Sequence, residues 1–210
     1  MIKAVRLAKT GFLALCLALA LGAMASAQDL PQLHSVQDVA GDDVLNIRAE
    51  PSARSDIIGG FAPDARNIEV IALNNTRRWG LINHHEGTGW VSMRYLSAQG
   101  RSIDHYNMPQ GLRCFGTEPF WSARSEGGML RYEALGEAPV MLKSEIAQDS
   151  GIGDDLRRML HLRGPDGTAS AYIHPAQCND GMSDRAYGLS VALMTGPSAP
   201  LLLGCCSLAP

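Results

Sequence analysis

The chain contains 210 residues, of which 46% are hydrophobic, 19% charged and 6% aromatic, and this composition excludes a disordered, collagen-like or coiled-coil protein. The formal net charge is −3, and after residue 27 the chain has a single lysine, Lys143, and 14 arginines that form no cluster in the sequence. No nucleic-acid partner is predicted, because proteins that bind nucleic acid carry a basic patch.

The first 27 residues have the pattern of a secretory signal peptide. Lys3, Arg6 and Lys9 form a basic start, and residues 11–27 are uncharged and end in Ala-Ser-Ala, a typical cleavage site. Removing this segment takes away three basic groups and no acidic group, so the formal charge falls from −3 to −6. We expect an acidic mature protein that begins at residue 28 and lies in the periplasm.

A lipid anchor is the alternative for this segment, because Cys16 lies within the apolar stretch. Leu15 is a poor match for the small residue that usually precedes a lipidated cysteine, and cleavage there would leave the apolar residues 17–27 on the protein. We therefore expect a cleaved signal peptide rather than a lipoprotein. No second long apolar run follows, so no transmembrane span is predicted in the mature chain.

Residues 33–97 predict a small β-barrel. Short runs typical of strands alternate with turn signals such as Gly59-Gly60 and Asn74-Asn75, and no helical period persists. A segment of about 65 residues is just long enough to bury one core. The predicted strands lie at residues 44–48, 57–58, 68–73, 79–83 and 89–91.

Several residues of this region occur in an order and spacing shared with a known family. They are Leu45-Asn46-Ile47-Arg48, Pro51-Ser52, Ser55, Ile57-Ile58-Gly59, Trp79, Gly89-Trp90-Val91 and Tyr95-Leu96. With these residues the region resembles a bacterial SH3-like domain. The resemblance implies a small barrel that binds cell-wall peptides or other proteins, and that often accompanies a second domain.

The predicted strand at residues 44–48 carries two candidate ligand-binding residues. Asn46 and Arg48 alternate with two apolar residues, so the polar pair should face away from the core. An outward-facing Arg48 can bind a carboxylate bidentately, as the recognition of a peptide requires. The alternative is a surface ion pair with Asp42 or Glu50, worth less than about 1 kcal/mol.

Trp90 and Tyr95 are the predicted aromatic contacts of the ligand. Trp79 and Trp90 can form an aromatic binding shelf, although large aromatic residues in so small a barrel more often lie in the core. His84 and His85 are adjacent, and on a strand their side chains would point to opposite faces, so they could not readily share a metal ion. No metal and no cofactor is predicted.

The strand pattern is lost between residues 98 and 108, where a short linker is predicted to hold two modules close together. The second module, residues 109–210, is predicted to be a mainly antiparallel β-barrel or sandwich, so the whole chain is predicted to be all-β. Its predicted strands lie at residues 120–124, 129–133, 139–142, 156–162, 168–173 and 187–194.

Four cysteines follow the signal peptide, Cys114, Cys178, Cys205 and Cys206, and an even number in an oxidising compartment predicts disulfide bonds. Adjacent Cα atoms lie about 3.8 Å apart, whereas an unstrained disulfide needs roughly 4.4–6.8 Å, so Cys205 and Cys206 should not pair with each other. Cys114 and Cys178 should each pair with one of them, in an order that stays open. If Cys205 and Cys206 lie on a strand, their side chains point to opposite faces, so the two disulfide bonds would hold that strand from both sides. A zinc site is the disfavoured alternative, because no Cys-x-x-Cys pair is present.

Three segments of the second module also occur together in a known family. They are Gly116-Thr117-Glu118-Pro119-Phe120-Trp121, Cys178-Asn179-Asp180-Gly181-Met182-Ser183-Asp184 with Tyr187, and Gly204-Cys205-Cys206. With them the module resembles a family of uncharacterised exported or membrane-associated bacterial proteins. Thr117 stands where that family usually has asparagine. The resemblance implies no reaction, so the roles of the motif residues stay open, in particular Glu118, Trp121, Asp180, Asp184 and Tyr187.

The carboxylates of these motifs are the candidate catalytic groups, because glycoside hydrolysis needs two carboxyl groups several ångströms apart. In the alternative, Asp180 bonds the backbone of its own turn, Asp184 caps the following segment, and Glu118 pairs with an arginine such as Arg185. We favour this structural alternative and predict no catalytic residue. Signatures of serine and cysteine nucleophiles and of nucleotide-binding loops are absent from the sequence.

The sequence therefore predicts a non-enzymatic periplasmic binding protein whose SH3-like module recognises a cell-wall peptide or an envelope protein. One alternative is a cell-envelope hydrolase or its accessory, with Glu118 and Asp180 as acid and base. Another alternative is an inhibitor or stress-response partner of a secreted protein.

Overall fold

The computed structural model of the protein describes residues 30–100, 109–153 and 155–208. Within these ranges the structure is all-β, with 16 strands and one short 3₁₀ helix, Met93–Tyr95. The predicted signal peptide, the alternative lipidation site at Cys16 and most of the predicted linker lie outside the described residues.

The N-terminal module consists of two small antiparallel sheets that share one core. One sheet has the strand order β4-β1-β8, and the other has the order β3-β2-β7-β6-β5. The strands are β1 (Gln32–Val36), β2 (Leu45–Arg48), β3 (Ile57–Phe61), β4 (Ile68–Val70), β5 (Ala72–Leu73), β6 (Trp79–His84), β7 (Gly87–Ser92) and β8 (Leu96–Ala98).

The core of this module is formed by aliphatic residues from both sheets. Ile47 and Ile82 come from the five-stranded sheet and Val70 from the three-stranded sheet, and each is at most 1% exposed. Strand β2 shows the expected alternation, because Leu45 and Ile47 are buried whereas Asn46 and Arg48 are half-buried on the other face. The core thereby determines which face of the sheet is available to a ligand.

The C-terminal module is a closed antiparallel barrel of eight strands. Each strand pairs with the next along the chain, and the last strand closes the barrel on the first. The strands are β9 (Arg113–Thr117), β10 (Phe120–Glu126), β11 (Met129–Ala134), β12 (Val140–Gln148), β13 (Arg158–Gly164), β14 (Gly167–Cys178), β15 (Tyr187–Met194) and β16 (Leu202–Ser207).

The interior of the barrel is packed with apolar side chains. The fully buried ones, such as Leu142, Leu160 and Leu189, alternate with outward-facing residues along each strand. Trp121 points into this interior, where it is 4% exposed and its ring lies 6.2 Å from that of Tyr132. The all-β prediction is confirmed, and of the two predicted architectures for this module the barrel is the one observed.

Two disulfide bonds hold β16 in the barrel wall. Cys206 pairs with Cys114 of β9, and Cys205 pairs with Cys178 at the end of β14. Cys206 belongs to the interior core, and its neighbour Cys205 points to the opposite face of the strand. The prediction that Cys114 and Cys178 each take one of the two adjacent cysteines is confirmed, and the structure decides the order of pairing.

The two modules are in direct contact through paired hydrogen bonds. The side-chain amide of Asn83 donates to the carbonyl of Ala186 at 2.9 Å and accepts from its backbone N–H at 3.0 Å. Arg185 donates through Nε to the carbonyl of His85 at 2.6 Å and forms an ion pair with Glu86 at 3.3 Å. The turn between β6 and β7 is thus attached to the segment that precedes β15.

A buried carboxylate forms a second part of this contact. Glu69 of β4 is 8% exposed, and its carboxylate accepts hydrogen bonds from the hydroxyl of Ser207 and from the backbone N–H of Leu208, the latter at 2.9 Å. Because Ser207 ends β16, the three-stranded sheet of one module is joined to the disulfide-bonded strand of the other.

Candidate binding surface on the five-stranded sheet

The outer face of the five-stranded sheet brings an arginine and two tryptophans close together. Arg48 of β2 lies directly opposite Trp90 of β7, and Trp90 lies opposite Leu81 of β6. Trp79 is two residues before Leu81 and therefore faces the same way. All four side chains are half-buried, so this face presents aromatic and cationic groups together to solvent.

The tendency of large aromatic residues to lie in the core of a small barrel does not hold for Trp79 and Trp90. Trp79 and Trp90 are absent from the buried cluster, whereas their strand neighbours Gly80, Gly89 and Val91 are buried. The core is too narrow for an indole at these positions, because a Cβ at Gly80 would already approach Val70 within 2.9 Å. The two large rings therefore lie on the opposite face of the same strands.

Arg48 is oriented by the loop that follows its strand. One guanidinium N–H donates to the carbonyl of Ser55 at 2.6 Å, and the Ser55 hydroxyl accepts the backbone N–H of Glu50 at 2.8 Å. No ion pair joins Arg48 to Asp42 or Glu50 in the described residues, so the alternative of a surface ion pair is not observed. A guanidinium carries five N–H donors, and those not used by Ser55 stay available for a ligand.

The other predicted binding residues occupy different places. Asn46 lies on the same face of β2 as Arg48, opposite Gly60 of β3. Tyr95 lies in the 3₁₀ helix, packs against the core of the module and has the guanidinium of Arg94 at 5.5 Å from its ring centre. The structure therefore groups Asn46, Arg48 and Trp90 on one face, and places Tyr95 against the core.

The two adjacent histidines lie at the turn between β6 and β7. Their ring centres are 4.1 Å apart, and the His84 ring bonds the carbonyl of Ile58 at 3.1 Å. His85 has a positive φ of 52° in that turn. In the described part of the chain no three histidine, cysteine or acidic side chains are grouped so that they could hold a metal ion.

The motif segments of the second module meet at one end of the barrel. The Thr117 hydroxyl donates to the carbonyl of Asp180 at 2.9 Å, and Tyr187 packs edge-on against Phe115 with their ring centres 4.9 Å apart. Trp121 lies inside the barrel below them. Thr117 thus joins the two segments through its hydroxyl.

The Asp180 carboxylate is occupied by hydrogen bonds of its own turn. It accepts the backbone N–H groups of Met182 at 3.0 Å and Ser183 at 2.9 Å, together with the hydroxyls of Ser183 and Tyr187. Partial burial acts to raise the pKa of Asp180, but these hydrogen bonds outweigh it and the pKa is lowered. The predicted turn in which Asp180 bonds its own backbone is therefore observed.

Two details of the structural alternative for the acidic motif residues are wrong. Arg185 pairs with Glu86 and not with Glu118, which is exposed. No hydrogen bond of the Asp184 carboxylate is found in the described residues, and its backbone N–H instead donates to the carbonyl of Glu86 at 2.9 Å. Both differences arise because the other module lies close to this segment, which sequence patterns within one module do not reveal.

A comparison with known families agrees with the geometry of the N-terminal module. Residues 43–97 match the sequence model described as Bacterial SH3 domain. The first module is a bacterial SH3 domain. The match begins just before β2 and ends within β8, so it covers the whole five-stranded sheet that carries Arg48 and Trp90 and leaves out β1.

No curated protein matches this chain significantly. The match of the SH3 domain lies outside the barrel, so the resemblance of the barrel to an exported family stays a prediction. The two disulfide bonds are consistent with a secreted protein. None of the helical structure in the described ranges is long and apolar enough to cross a membrane.

Sequence reasoning missed the residues that join the SH3 domain to the barrel. Glu69 and Asn83 lie within predicted strands and resemble ordinary polar positions, since their partners are more than 100 residues away in the chain. The only sequence signal was the short linker, which predicted two modules held close together without naming a contact.

Proposed function

We propose that this protein is a non-enzymatic binding protein of the bacterial periplasm, whose SH3 domain recognises a cell-wall peptide or an envelope protein. Three observations support the proposal: the signal-peptide pattern at residues 1–27, the match to the bacterial SH3 domain and the two disulfide bonds. Bacterial SH3 domains often bind cell-wall material.

The observation that carries the proposal is the direct pairing of Arg48 with Trp90 on the outer face of the sheet. Tryptophan and arginine are the residue types that contribute most to binding energy at protein interfaces. A peptide carboxylate would bind the unoccupied N–H groups of Arg48, and the apolar part of the ligand would pack on Trp90 and Leu81. Ser55 holds the guanidinium in place, which reduces the entropy lost on binding.

We propose a binding protein and not an enzyme, because the two candidate catalytic groups, Glu118 and Asp180, are poorly suited to act as acid and base. A general acid at neutral pH needs a raised pKa, whereas the pKa of Asp180 is lowered and its oxygens are already bonded. Glu118 alone lacks the second free carboxylate that glycoside hydrolysis requires.

The test is co-sedimentation of the mature chain, residues 28–210, with purified peptidoglycan. We expect the unchanged protein to sediment with the wall and Arg48→Gln to lower its affinity about tenfold, as loss of a charged hydrogen-bonded pair implies. Arg78→Gln is the matched control, because Arg78 is an exposed arginine of the same domain whose side chain makes no ion pair in the described ranges.

Two outcomes would contradict the proposal in different ways. Equal retention of Arg48→Gln and Arg78→Gln would remove Arg48 from the binding site. Failure of the unchanged protein to sediment would exclude the wall as its target and leave envelope proteins as the ligands of the SH3 domain.

A groove on the barrel favours a second candidate function, the docking of a secreted protein. The groove has a volume of about 620 Å³ and lies between the two motif segments. Phe120, Met182 and Leu203 line it and are 48%, 67% and 64% exposed. The exposed Glu118 also lines it and has no ion pair among the described residues. These groups suit a partner with a basic side chain between apolar ones.

Charge reversal tests this second candidate. Glu118→Lys should abolish a chemical cross-link between the mature chain and its partner in a periplasmic extract, whereas Glu137→Lys, an exposed glutamate outside the groove, should leave the cross-link intact. A cross-link that survives Glu118→Lys would exclude the groove as the docking site.

A further inference from the structure

A cleft between the SH3 domain and the barrel collects arginines from both modules. Its volume is about 680 Å³, which lies within the range of ligand-binding pockets. Arg66 contributes from the loop between β3 and β4, Arg113 and Arg124 from β9 and β10, and Arg185 from the segment before β15. Three of these arginines belong to the barrel and Arg66 belongs to the SH3 domain, so the full set is assembled only where the two modules meet.

The two acidic residues of the cleft are already satisfied by the protein. Glu69 accepts hydrogen bonds from Ser207 and from the backbone of Leu208. Asp180 accepts four hydrogen bonds from residues 182–187. Four arginines and two acidic residues are among the described residues that line the cleft, so the lining has an excess of positive charge.

Arg113 and Arg124 lie directly opposite each other on neighbouring strands of the barrel. Like charges in this arrangement destabilise a sheet. The carboxylate nearest to Arg124 is that of Glu133 at 3.9 Å, which also pairs with Arg131, and Arg113 has no ion pair in the described part of the chain. A pair of arginines that costs stability in the free protein is expected where an anionic ligand relieves the repulsion.

The remaining lining of the cleft indicates what kind of anion fits. Phe61 and Ile68 come from the SH3 domain, and Phe115 and Tyr187 from the barrel. The cleft thus has arginines on two walls, with aromatic and aliphatic groups between them. This arrangement fits a peptide that carries several carboxylates and apolar atoms better than it fits an inorganic anion.

We propose that this cleft binds an acidic peptide, with one carboxylate held by Arg113 and Arg124 and another by Arg66. The cleft shares neither Arg48 nor Trp90 with the sheet surface described above, so this site is distinct from the one proposed for the SH3 domain. The proposal stands whether or not the sheet surface binds the cell wall.

The experiment measures binding of a blocked tetraglutamate peptide to the full mature chain by titration calorimetry at low ionic strength. Blocked tetraglutamine and inorganic phosphate are the ligand controls. We expect tetraglutamate to bind, tetraglutamine not to bind, and phosphate to bind at least tenfold more weakly. Added salt should weaken the binding, because charges near the surface are screened.

Variants assign the binding to the cleft. Arg113→Gln/Arg124→Gln should weaken tetraglutamate binding about tenfold or more, and Arg66→Gln about tenfold. Lys143→Gln is the matched control, because Lys143 is exposed on β12 outside the cleft, and it should bind like the unchanged protein. The double variant should unfold at the same urea concentration as the unchanged protein or at a higher one, since it removes a repulsion.

Three results would overturn the proposal. The first is tetraglutamate binding that survives the double variant, and the second is equal affinity for tetraglutamate and phosphate. The third is a double variant that loses binding only together with its stability, because the arginine pair would then support the fold and not a ligand. The sheet-surface variant Arg48→Gln should leave tetraglutamate binding unchanged, which separates this test from that of the wall-binding proposal.

Discussion

Gly116 shows how closely two strands of the barrel approach an indole ring. It lies on β9 opposite Trp121 of β10. A Cβ at this position would fall on Nε1 of that indole and close to the backbone oxygen of Leu203. Gly116 does not have a positive φ angle, so its backbone conformation does not call for a glycine. A glycine is needed here because there is no room for a Cβ.

Gly116→Ala is expected to lower the free energy of unfolding by about 1–3 kcal/mol, the usual cost of overpacking a core. Gly153→Ala is the matched control in the same module, because a Cβ there would meet no atom within 4 Å. Urea unfolding of both variants checks the prediction. Equal stabilities would show that the indole and the backbone at Leu203 can both move away at no cost.

His34 is a titratable group buried within the SH3 domain. It is 1% exposed, its Nδ1–H donates to the carbonyl of Gln32 at 3.0 Å, and its Nε2 has no hydrogen-bond partner among the described residues. Burial lowers the pKa of His34 from its usual value of 6.5, and the hydrogen bond to Gln32 opposes this only in part. The folded protein therefore holds this imidazole neutral.

The stability contributed by a neutral His34 should be complete above pH 6.5 and should fall as the pH decreases from 6.5 towards the lowered pKa. In that range the unfolded chain binds a proton that the folded chain does not, so acid favours unfolding. Free energies of unfolding measured between pH 7 and pH 5 should decrease less steeply in His34→Gln than in the unchanged protein. Identical slopes would assign the pH dependence to other groups.

Strand β16 is the element on which the barrel closes. Its two adjacent cysteines bond to β9 on one face and to the end of β14 on the other, which spans 92 and 27 residues of chain respectively. In the entropic account, a disulfide that closes a longer loop restricts the unfolded chain more. The bond to β9 should therefore contribute more to stability.

Replacing Cys114 and Cys206 together by alanine should lower the free energy of unfolding by about 4–5 kcal/mol, and replacing Cys178 and Cys205 by about 3–4 kcal/mol. Each double variant keeps the other bond, so no free thiol is left to form a new pairing. Urea unfolding under non-reducing conditions measures both values. A larger loss for the second pair would mean that strain or local packing outweighs chain entropy.

Several elements were predicted from the sequence, and the differences have physical causes. Each predicted strand overlaps an observed one, because the apolar residues alternate or cluster between glycine-rich turns, although the predicted strand at residues 68–73 is divided into β4 and β5 of different sheets. Strand β1 was missed since its Gln, His and Ser residues give no apolar pattern, and β8 was missed since it has only three residues. Strands β9 and β16 were missed since glycines and cysteines interrupt their patterns. Strand β12 is longer than predicted, because a bulge after Ser144 shifts its alternation.

The whole molecule is held together by the contact between the SH3 domain and the barrel. Asn83 and Arg185 bond the β6–β7 turn to the segment before β15, and Glu69 bonds the end of β16. Leu33 of β1 packs against the barrel core, so the contact is also apolar. A buried N–H such as that of Leu208 costs about 1–3 kcal/mol when its acceptor is removed.

The double variant Glu69→Ala/Asn83→Ala is expected to uncouple the two modules. Scanning calorimetry of the mature protein should show one unfolding transition for the unchanged chain and two for the variant, because each module has its own core. Arg78→Gln, outside the contact, should keep one transition. A single transition in the double variant would show that other contacts are sufficient to couple the modules.

The sequence by itself determined local properties of this protein: most of its strands, the outward direction of Arg48, the SH3 resemblance and the rule that Cys205 and Cys206 take separate partners. These follow from spacing over a few residues, where alternation and chain geometry leave few choices. Only the tertiary structure decided the cysteine pairing, the outward position of Trp90 and the arginine cleft between the modules. The reason is that each depends on packing between residues distant in the chain, which local spacing does not specify.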